Sequence, residues 1–468
     1  MIFELILKIL PVVYRSLPSN NNKVYIYILG ESSAWGHPYQ GKLSFSKIIQ
    51  YSLNNHIENK EIELIILAAP GEQLIHQYFK YFIYKYTHPL QKGIVLMYMG
   101  TNDWEIEGTK NHFKKIYTRF KFAGLLNSYF KIIYDFTCEY ERIIILAKNF
   151  GDDIYISTIV GNYAGLMPDS IALLLNDRKL NDEINNIDNL ILNKEYNNAF
   201  RKCNALLAKY NSEDVSQVWY RIGKIYEGQN RVKEANEAYL NAVEYGRDAR
   251  PTRHQNEIIK KLSIKYNIQI LDIFDDLLHS NKIIGYEYFI DKIHPNIKFN
   301  IMIAKGFISL LMEKYNLILK KDLSEESILK SFEFNEEDLF ISYRDALGEI
   351  IAFSYRTDDY SKPLYILDIY NLEVIKQYIK KMEEINEIIK ISNLSSFTYK
   401  RNKITLLISD VLLDYIQGNK VEALRRIKDN DLTKSFNNVE MHCWNIFFKK
   451  WLRQLIKEDK IDLQEGMK

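Results

Sequence analysis

The feature that most constrains the fold is a series of apolar segments, each ending in glycine or a small polar residue. The first is Val24 to Leu29, an apolar and aromatic run that leads directly into Gly30-Glu31-Ser32. Such a run is typical of a central strand in a parallel sheet, and the carboxyl end of such a strand is where open α/β sheets bind ligands. Taken alone, this turn is better explained as an ordinary loop in which Ser32 caps a helix.

Four further segments repeat the strand pattern and alternate with helical segments. The strands are predicted at Glu61 to Leu67, Ile94 to Met99, Ile154 to Val160 and Ile268 to Ile273. Helical periodicity lies between them, at Leu43 to Leu53, Glu72 to Tyr86, Lys110 to Ala147 and His254 to Lys265. Regular alternation with apolar strands predicts an α/β protein whose parallel sheet is covered by helices on both faces.

A helical segment of another kind interrupts this alternation. The pattern W-x2-L-G-x2-Y, followed by small and aromatic positions of a second helix, is matched by Trp219, Ile222, Gly223, Tyr226, Ala235, Tyr239 and Ala242. A weaker copy lies 36 residues upstream, at Ala199, Cys203 and Leu206. The segment resembles a tetratricopeptide (TPR) repeat. Because about three repeats are usually needed to bury their own faces, we expect it to pack on the rest of the chain.

Composition bounds the class of protein. At 468 residues the chain is too long for one core, so about two or three domains are expected. The formal net charge of +2 gives no sign of nucleic-acid binding, and a hydrophobic content of 47% argues against disorder. The three cysteines, Cys138, Cys203 and Cys443, are too widely spaced to encode a disulfide framework or a zinc site. We therefore expect a cytoplasmic protein of a reducing compartment.

The two ends of the chain are predicted to be helical. The apolar run at the start is interrupted by Glu4 and Lys8 and ends at Pro11, so it is shorter than the roughly 20 residues of a membrane span. Without a signal-peptide pattern, it is expected to be a short amphipathic helix docked on the protein, with a surface membrane anchor as the weaker alternative. Beyond residue 320 the predicted helices are Leu372 to Ile391, a hairpin over Ile404 to Ile427, and Met441 to Ile456.

Four blocks follow the predicted strands in chain order. The first is Gly30-Glu31-Ser32 with Gly36, the second is Gly71 in Ala-Pro-Gly, the third is Gly100-Thr101-Asn102-Asp103, and the last is Asp291-x-x-His294. In this order they resemble the blocks of the SGNH (GDSL-type) serine hydrolase superfamily, over about residues 23 to 165 and 252 to 315. The resemblance implies a flavodoxin-like three-layer parallel sheet, with the TPR-like segment inserted and an all-α C-terminal region. The predicted domains are 1–22, 23–175, 176–250 (the insertion), 251–320 and 321–468.

The resemblance implies a role for each block. Ser32 would be the nucleophile, and His294 would accept its proton and return it to the leaving alcohol. Asp291 lies three positions before His294, so one turn of chain can present both side chains, and Asp291 would hold the imidazole in the right tautomer. The N–H groups of Ser32 and Gly71 and the side-chain amide of Asn102 would stabilise the oxyanion. No metal or cofactor is implied.

Other readings of these residues stay open. Asp291 and His294 alone would more often be a surface pair and could in principle be metal ligands, but no further cluster of His or carboxylate residues supports a metal. Gly-Thr-Asn-Asp alone would be a turn with a helix cap. Trp35, His37 and Asn162 are candidates for the substrate pocket, although a turn role explains Asn162 equally well. Two positions depart from the family pattern. Glu31 replaces the usual aspartate, which predicts altered loop packing, and Phe299 replaces a glycine in the helix behind His294.

The sequence thus predicts a serine esterase that removes acyl groups, acetyl among them, from a carbohydrate or other hydroxyl-bearing substrate. Its substrate would be a small-molecule or glycan ester, and the TPR-like helices could also hold a protein partner. One alternative is an O-acyltransferase that uses the same three side chains. Another, from a different class, is a TPR scaffold whose hydrolase domain is vestigial.

Overall fold

A computed structural model gives the structure of the protein. It describes residues 22–53, 56–57, 60–88, 92–103, 136–168, 178–210, 215–246, 250–315, 317, 319, 322–354 and 369–391, with single positions between 402 and 426. Several predictions fall outside these residues. They are the N-terminal helix, the first part of the helix predicted over Lys110 to Ala147, most of the hairpin over Ile404 to Ile427, and the helix over Met441 to Ile456.

The described residues contain one six-stranded sheet. Its strands are β1 (Lys23–Gly30), β2 (His56–Ile57), β3 (Lys60–Ile66), β4 (Gly93–Tyr98), β5 (Asp153–Ser157) and β6 (Gln269–Leu271), in the order β2-β3-β1-β4-β5-β6. All neighbours pair in parallel except β2, which runs antiparallel to β3. The predicted parallel sheet of five strands is therefore confirmed. The order of those five strands is that of flavodoxin-like sheets.

Strand β1 lies at the centre of the sheet because its side chains are apolar on both faces. It pairs with β3 on one side and β4 on the other, and Ile26, Ile28 and Leu29 are fully buried. The strand must end in glycine, since a Cβ on Gly30 would lie 2.4 Å from Ala34 Cβ and 2.6 Å from the Tyr98 carbonyl oxygen. The strand order reverses direction between β1 and β4, which makes their carboxyl ends the place where such sheets bind ligands.

Helices cover the sheet on both faces. In chain order they are α1 (Ser32–Trp35), α2 (Phe45–Ser52), α3 (Leu74–Thr87) and α4 (Phe136–Asn149), followed after the insertion by α9 (Arg253–Tyr266), α10 (Ile273–Leu278) and α11 (Ile297–Met312). The chain moves toward one edge of the sheet from β1 to β3 and toward the other edge in each later crossover. Because such connections are right-handed, α2 lies on one face of the sheet and α3, α4 and α9 lie on the other. Helix α11 joins α2, where the Phe45 and Phe307 rings stack at 5.9 Å.

Four helices fill the insertion between β5 and α9. They are α5 (Arg178–Leu192), α6 (Tyr196–Lys209), α7 (Val215–Gly228) and α8 (Val232–Tyr245). Helices α7 and α8 approach closely, because a Cβ on Gly223 would lie 2.4 Å from the Tyr239 ring. The insertion rests on the segment after β5, where the Tyr220 hydroxyl donates to the Ala164 carbonyl at 3.1 Å. It thus leans on the α/β core, while its assignment as a TPR and the domain boundaries stay predictions.

Three further helices follow α11. They are α12 (Glu325–Ser331), α13 (Glu336–Ser354) and α14 (Ile369–Ile391). Helices α13 and α14 pack on loops of the α/β core. Lys42 and Asp338 form an ion pair at 2.6 Å, and the Tyr378 hydroxyl of α14 donates to the carbonyl of Ile290. None of the helices in the described part of the chain combines the length and the apolarity that crossing a bilayer requires.

Candidate active site

Three predicted side chains meet at the carboxyl edge of the sheet. Ser32 is the first residue of α1, directly after β1, while Asp291 and His294 lie in an irregular loop between α10 and α11. The Ser32 Oγ lies 2.7 Å from His294 Nε2, and His294 Nδ1 lies 2.6 Å from Asp291 Oδ2. Hydroxyl, imidazole and carboxylate therefore form one continuous hydrogen-bonded chain.

The loop that carries Asp291 and His294 is fixed by hydrogen bonds of its own. The second carboxylate oxygen of Asp291 accepts from the backbone N–H groups of Ile293 at 2.9 Å and His294 at 2.8 Å. The Ile290 N–H donates to the His294 carbonyl at 3.0 Å and closes the loop. These bonds replace helical ones, and they explain why the pair does not lie on a helix.

Burial and mutual charge set the protonation of the pair. Asp291 is fully buried, and His294 and Ser32 are 5% and 7% exposed. Burial alone would raise the pKa of Asp291, but the neighbouring His294 outweighs it and holds that pKa below its usual value. Burial opposes protonation of His294, yet Asp291 and, more weakly, Glu349 raise the pKa of the imidazole above 6.5. The pair is thus built to stabilise an imidazolium.

Glu31 holds the third block beside the nucleophile. Its carboxylate is buried and accepts from the backbone N–H groups of Gly100 at 2.9 Å and Asn102 at 3.1 Å. Burial, reinforced by Asp103, raises the pKa of Glu31 well above its usual value against the effect of these donors. The sequence predicted only that Glu31 alters the packing of its own loop. In the structure the longer side chain also connects the ends of β1 and β4.

The two loop residues predicted as oxyanion donors lie in different surroundings. Gly71 has a left-handed backbone with φ of +74°, and a Cβ built on it would meet no atom within 4 Å. Space is therefore open above this residue. The Asn102 side-chain nitrogen donates to the Glu72 carbonyl at 2.8 Å. This bond ties the second and third blocks together and leaves the other N–H of the same nitrogen for a further acceptor.

The three candidate pocket residues differ in position. Asn162 is fully buried, and its amide donates to the Asp291 carbonyl at 2.8 Å while its oxygen accepts from the Gly165 N–H at 2.7 Å. Asn162 therefore supports the Asp291 loop, and its place in a substrate pocket stays a prediction. Trp35 is half-buried and packs over Gly41.

His37 lies directly against the ring of His294. Its ring meets the His294 ring edge-on, with 4.4 Å between centroids. Its Nε2 is buried and has no hydrogen-bond partner among the described residues. Burial, and secondly the charge of His294, lower the pKa of His37 to about 4, so the ring is neutral near pH 7. His37 thus places a buried, neutral ring nitrogen without a described partner beside His294.

Metal binding is the other chemistry that these residues could serve. Within the described residues, His37, Asp291 and His294 form a group whose ligand atoms all lie within 4.8 Å of one another. However, the Asp291 carboxylate already accepts from His294 Nδ1 and from two backbone N–H groups. Because these donors and acceptors are committed to one another, the arrangement fits a proton relay better than a metal centre.

Two residues that hold the loops of the site belong to no motif, and the sequence did not predict them. Arg250 is 1% exposed and donates to the carbonyls of Asn162 at 2.6 Å and Leu166 at 2.7 Å. Gln255 of α9 donates to the carbonyls of Gly100 at 3.1 Å and Asp103 at 2.7 Å. Arg250 ends the predicted insertion and Gln255 follows it, and only the tertiary structure brings them to these loops.

Comparisons with known proteins give matches among solved structures alone. No protein-family model matches the sequence, and a search among curated proteins gives no match. Similar solved structures include a member of the lipolytic protein G-D-S-L family from Veillonella parvula (13% identity, TM-score 0.30), the acetyl xylan esterase AlAXEase (13%, 0.31) and TesA (8%, 0.30). The similarities cover 62% of this chain and 98%, 100% and 98% of those chains, respectively. With such low TM-scores they carry no inference about activity.

Proposed function

We propose that the protein is a serine ester hydrolase of SGNH type that acts through an acyl-enzyme. The observation that carries the proposal is the 2.7 Å contact between Ser32 Oγ and His294 Nε2, with Asp291 bonded to the other nitrogen of the ring. A serine hydroxyl at its ordinary pKa is a weak nucleophile, and this arrangement is the general way to activate it.

The reaction has two steps. In the first, Ser32 Oγ attacks the ester carbonyl while its proton passes to His294 Nε2, and the imidazolium then protonates the alcohol as the C–O bond breaks. In the second, water attacks the acyl-serine, gives its proton to His294, and releases the acid as Ser32 recovers its proton. Asp291 stabilises the imidazolium in both steps.

The negative oxygen of each tetrahedral intermediate requires donors. We assign this role to the backbone N–H groups of Ser32 and Gly71 and to the second side-chain N–H of Asn102. The open space above Gly71 favours approach of a substrate oxygen. Loss of one such donor typically lowers the rate by about 10²–10³-fold.

The helical parts of the chain would select the substrate. We propose that the TPR-like insertion and helix α14 bind the part of the substrate that carries the ester, a glycan or another hydroxyl-bearing molecule. The Asp291 loop lies between these two elements, since Tyr378 of α14 donates to Ile290 and Asn162 is linked to the segment on which α7 rests.

Turnover of p-nitrophenyl acetate and butyrate by the full chain tests the proposal. We expect hydrolysis of the esters, abolished by Ser32→Ala and retained by Ser52→Ala, a control that removes a buried hydroxyl bonded only within its own helix turn. Turnover that survives Ser32→Ala would remove the assignment. If the acyl group appears on an added alcohol and no free acetate is released, the protein is an acyltransferase and not a hydrolase.

A further inference from the structure

The loop that carries Asp291 and His294 is held through its backbone carbonyl oxygens. Each of the five carbonyls of residues 290–294 accepts a hydrogen bond. Four of the donors belong to the α/β core or to the loop itself: the Asn162 amide donates to Asp291 at 2.8 Å, the Asn162 N–H to Lys292 at 3.0 Å, the Ser33 hydroxyl to Ile293 at 3.4 Å, and the Ile290 N–H to His294 at 3.0 Å. The backbone that presents the two side chains is therefore fixed residue by residue.

The donor to the fifth carbonyl comes from another part of the chain. The Tyr378 hydroxyl of helix α14 donates to the Ile290 carbonyl. The Tyr378 ring meets two other rings edge-on, that of Tyr286 at 6.0 Å and that of Tyr343 in α13 at 5.3 Å. Burial is the first cause that raises the pKa of Tyr378 well above its usual value, so the hydroxyl keeps its proton and remains a donor.

The Ile290 carbonyl is well placed to orient Asp291. It belongs to the peptide unit that joins the two residues, and because such a unit is planar, a fixed oxygen also fixes the nitrogen and Cα of Asp291. The carboxylate that follows from this Cα lies 2.6 Å from His294 Nδ1. A hydrogen bond from α14 thus acts on the Asp291–His294 contact through one rigid unit.

We propose that Tyr378 is a positioning residue that holds Asp291 in the orientation in which its carboxylate bonds His294. The value of this for catalysis rests on the proposed function, whereas the effect on the imidazole does not. Without the Tyr378 hydroxyl the loop loses one of its five carbonyl donors, Asp291 contacts His294 less firmly, and the imidazole becomes harder to protonate.

Nuclear magnetic resonance of the full-length protein, labelled with ¹³C-histidine, tests this without catalysis. The His294 signal is assigned by its loss in His294→Gln, and its pKa is read from a pH titration. We expect that pKa to fall by about 0.5 in Tyr378→Phe, which is at the low end of what one hydrogen bond contributes. The titratable groups described near His294 are Asp291, His37 and Glu349 of α13, and the variant retains all of them.

Tyr286→Phe is the matched control. Its ring contacts the same Tyr378 ring, but its hydroxyl is buried and has no hydrogen-bond partner among the described residues. The pKa of His294 should stay unchanged in this variant. Amide hydrogen exchange gives a second readout, in which residues 288–296 should exchange faster in Tyr378→Phe than in Tyr286→Phe. An unchanged pKa of His294 in folded Tyr378→Phe protein, an equal fall in Tyr286→Phe, or equal exchange in both variants would overturn the proposal.

Kinetics with p-nitrophenyl acetate connect the positioning to the reaction. In Tyr378→Phe we expect kcat to fall by about 3- to 10-fold with KM unchanged, because the lost bond acts on the Asp291–His294 pair. An unchanged kcat in an active enzyme would contradict the proposal. Failure of the proposed function looks different. If the wild-type protein hydrolyses no ester but Tyr378→Phe still lowers the pKa of His294, the positioning by Tyr378 is supported and only its link to ester chemistry is lost.

Discussion

At the scale of single residues, His294 is the side chain that contacts both of the other predicted catalytic residues. It contacts the Ser32 hydroxyl on one side and the Asp291 carboxylate on the other, and the His37 ring packs against its own. The pKa of His294 is raised although burial opposes it, because the charges of Asp291 and Glu349 favour the protonated ring. In the proposed reaction the same charges would stabilise the imidazolium.

This electrostatic balance predicts the pH dependence of ester hydrolysis. Only neutral His294 can accept the Ser32 proton, so kcat/KM should fall as the pH drops through a midpoint above 6.5. Glu349→Gln removes one of the charges that raise the pKa of His294, and it should move the midpoint to lower pH without abolishing turnover. A pH–rate profile of both proteins checks this. A midpoint unchanged or raised in Glu349→Gln would contradict it.

Glu31 has a structural role that unfolding can measure. Its carboxylate is the acceptor for the Gly100 and Asn102 N–H groups in a buried setting. Glu31→Ala should reduce the free energy of unfolding by about 1–3 kcal/mol for each N–H left without an acceptor. Glu31→Gln, which keeps one carbonyl oxygen, should cost less. Urea denaturation of the three proteins gives the ranking, and equal stability of all three would show that Glu31 does not support the loop.

The sequence predicted that Ser32, Asp291 and His294 meet, and the structure places them in contact, while their catalytic roles stay a prediction. Ser32, Asp291 and His294 each follow a recognisable block, so their identity needs only local patterns. Glu31 was noticed as a departure, but its partners lie at the end of another strand. Arg250 and Gln255 act through backbone carbonyls more than 80 residues away in sequence. Such contacts depend on tertiary packing, and no spacing in the sequence encodes them.

At the scale of secondary structure, the strands were predicted because buried runs end in abrupt turns. The exceptions have physical causes. Strand β2 is two residues long, too short for a pattern, and β6 covers only Gln269–Leu271 of the predicted Ile268 to Ile273. In the described sheet β6 is an edge strand paired with β5 alone, and Asp272 after it caps α10. An apolar run thus sets where a strand lies, while pairing and capping set where it ends.

Helix α3 is fixed to the sheet by a buried ion pair. Lys85 Nζ lies 2.9 Å from the Asp152 carboxylate, which also accepts from the Tyr81 hydroxyl and from the Gly93 N–H at the start of β4. Lys85→Met would leave the carboxylate buried without its cation. We expect a loss of about 3–5 kcal/mol in the free energy of unfolding, because an unpaired buried charge is costly.

A matched variant on the same helix separates burial from charge. Lys80 forms a partly exposed pair with Glu72 at 2.6 Å, so Lys80→Met should change the free energy of unfolding by about 1 kcal/mol or less. Urea denaturation compares the two variants. A loss in Lys85→Met no larger than that in Lys80→Met would contradict the role of the Lys85–Asp152 pair.

At the scale of the whole molecule, the C-terminal helices pack beside the site. The sequence indicated no catalytic residue beyond position 320, and the described residues beyond that position add none, yet α13 contacts the loop after α1 and α14 contacts the Asp291 loop. Phe334, just before α13, meets Tyr39 edge-on at 5.8 Å, and Tyr343 of α13 meets Tyr378 of α14 at 5.3 Å. This docking joins side chains on distant segments, which explains why the pattern of each helix alone could not predict it.

Covalent labelling of the full-length protein with a fluorophosphonate, located by peptide mass spectrometry, tests the central arrangement most directly. We expect an adduct on Ser32 in the wild type and in Ser33→Ala, no adduct in Ser32→Ala, and much slower labelling in His294→Ala protein whose thermal unfolding shows that it is folded. An adduct on another residue, or labelling of Ser32 at an unchanged rate without His294, would contradict the proposed serine hydrolase.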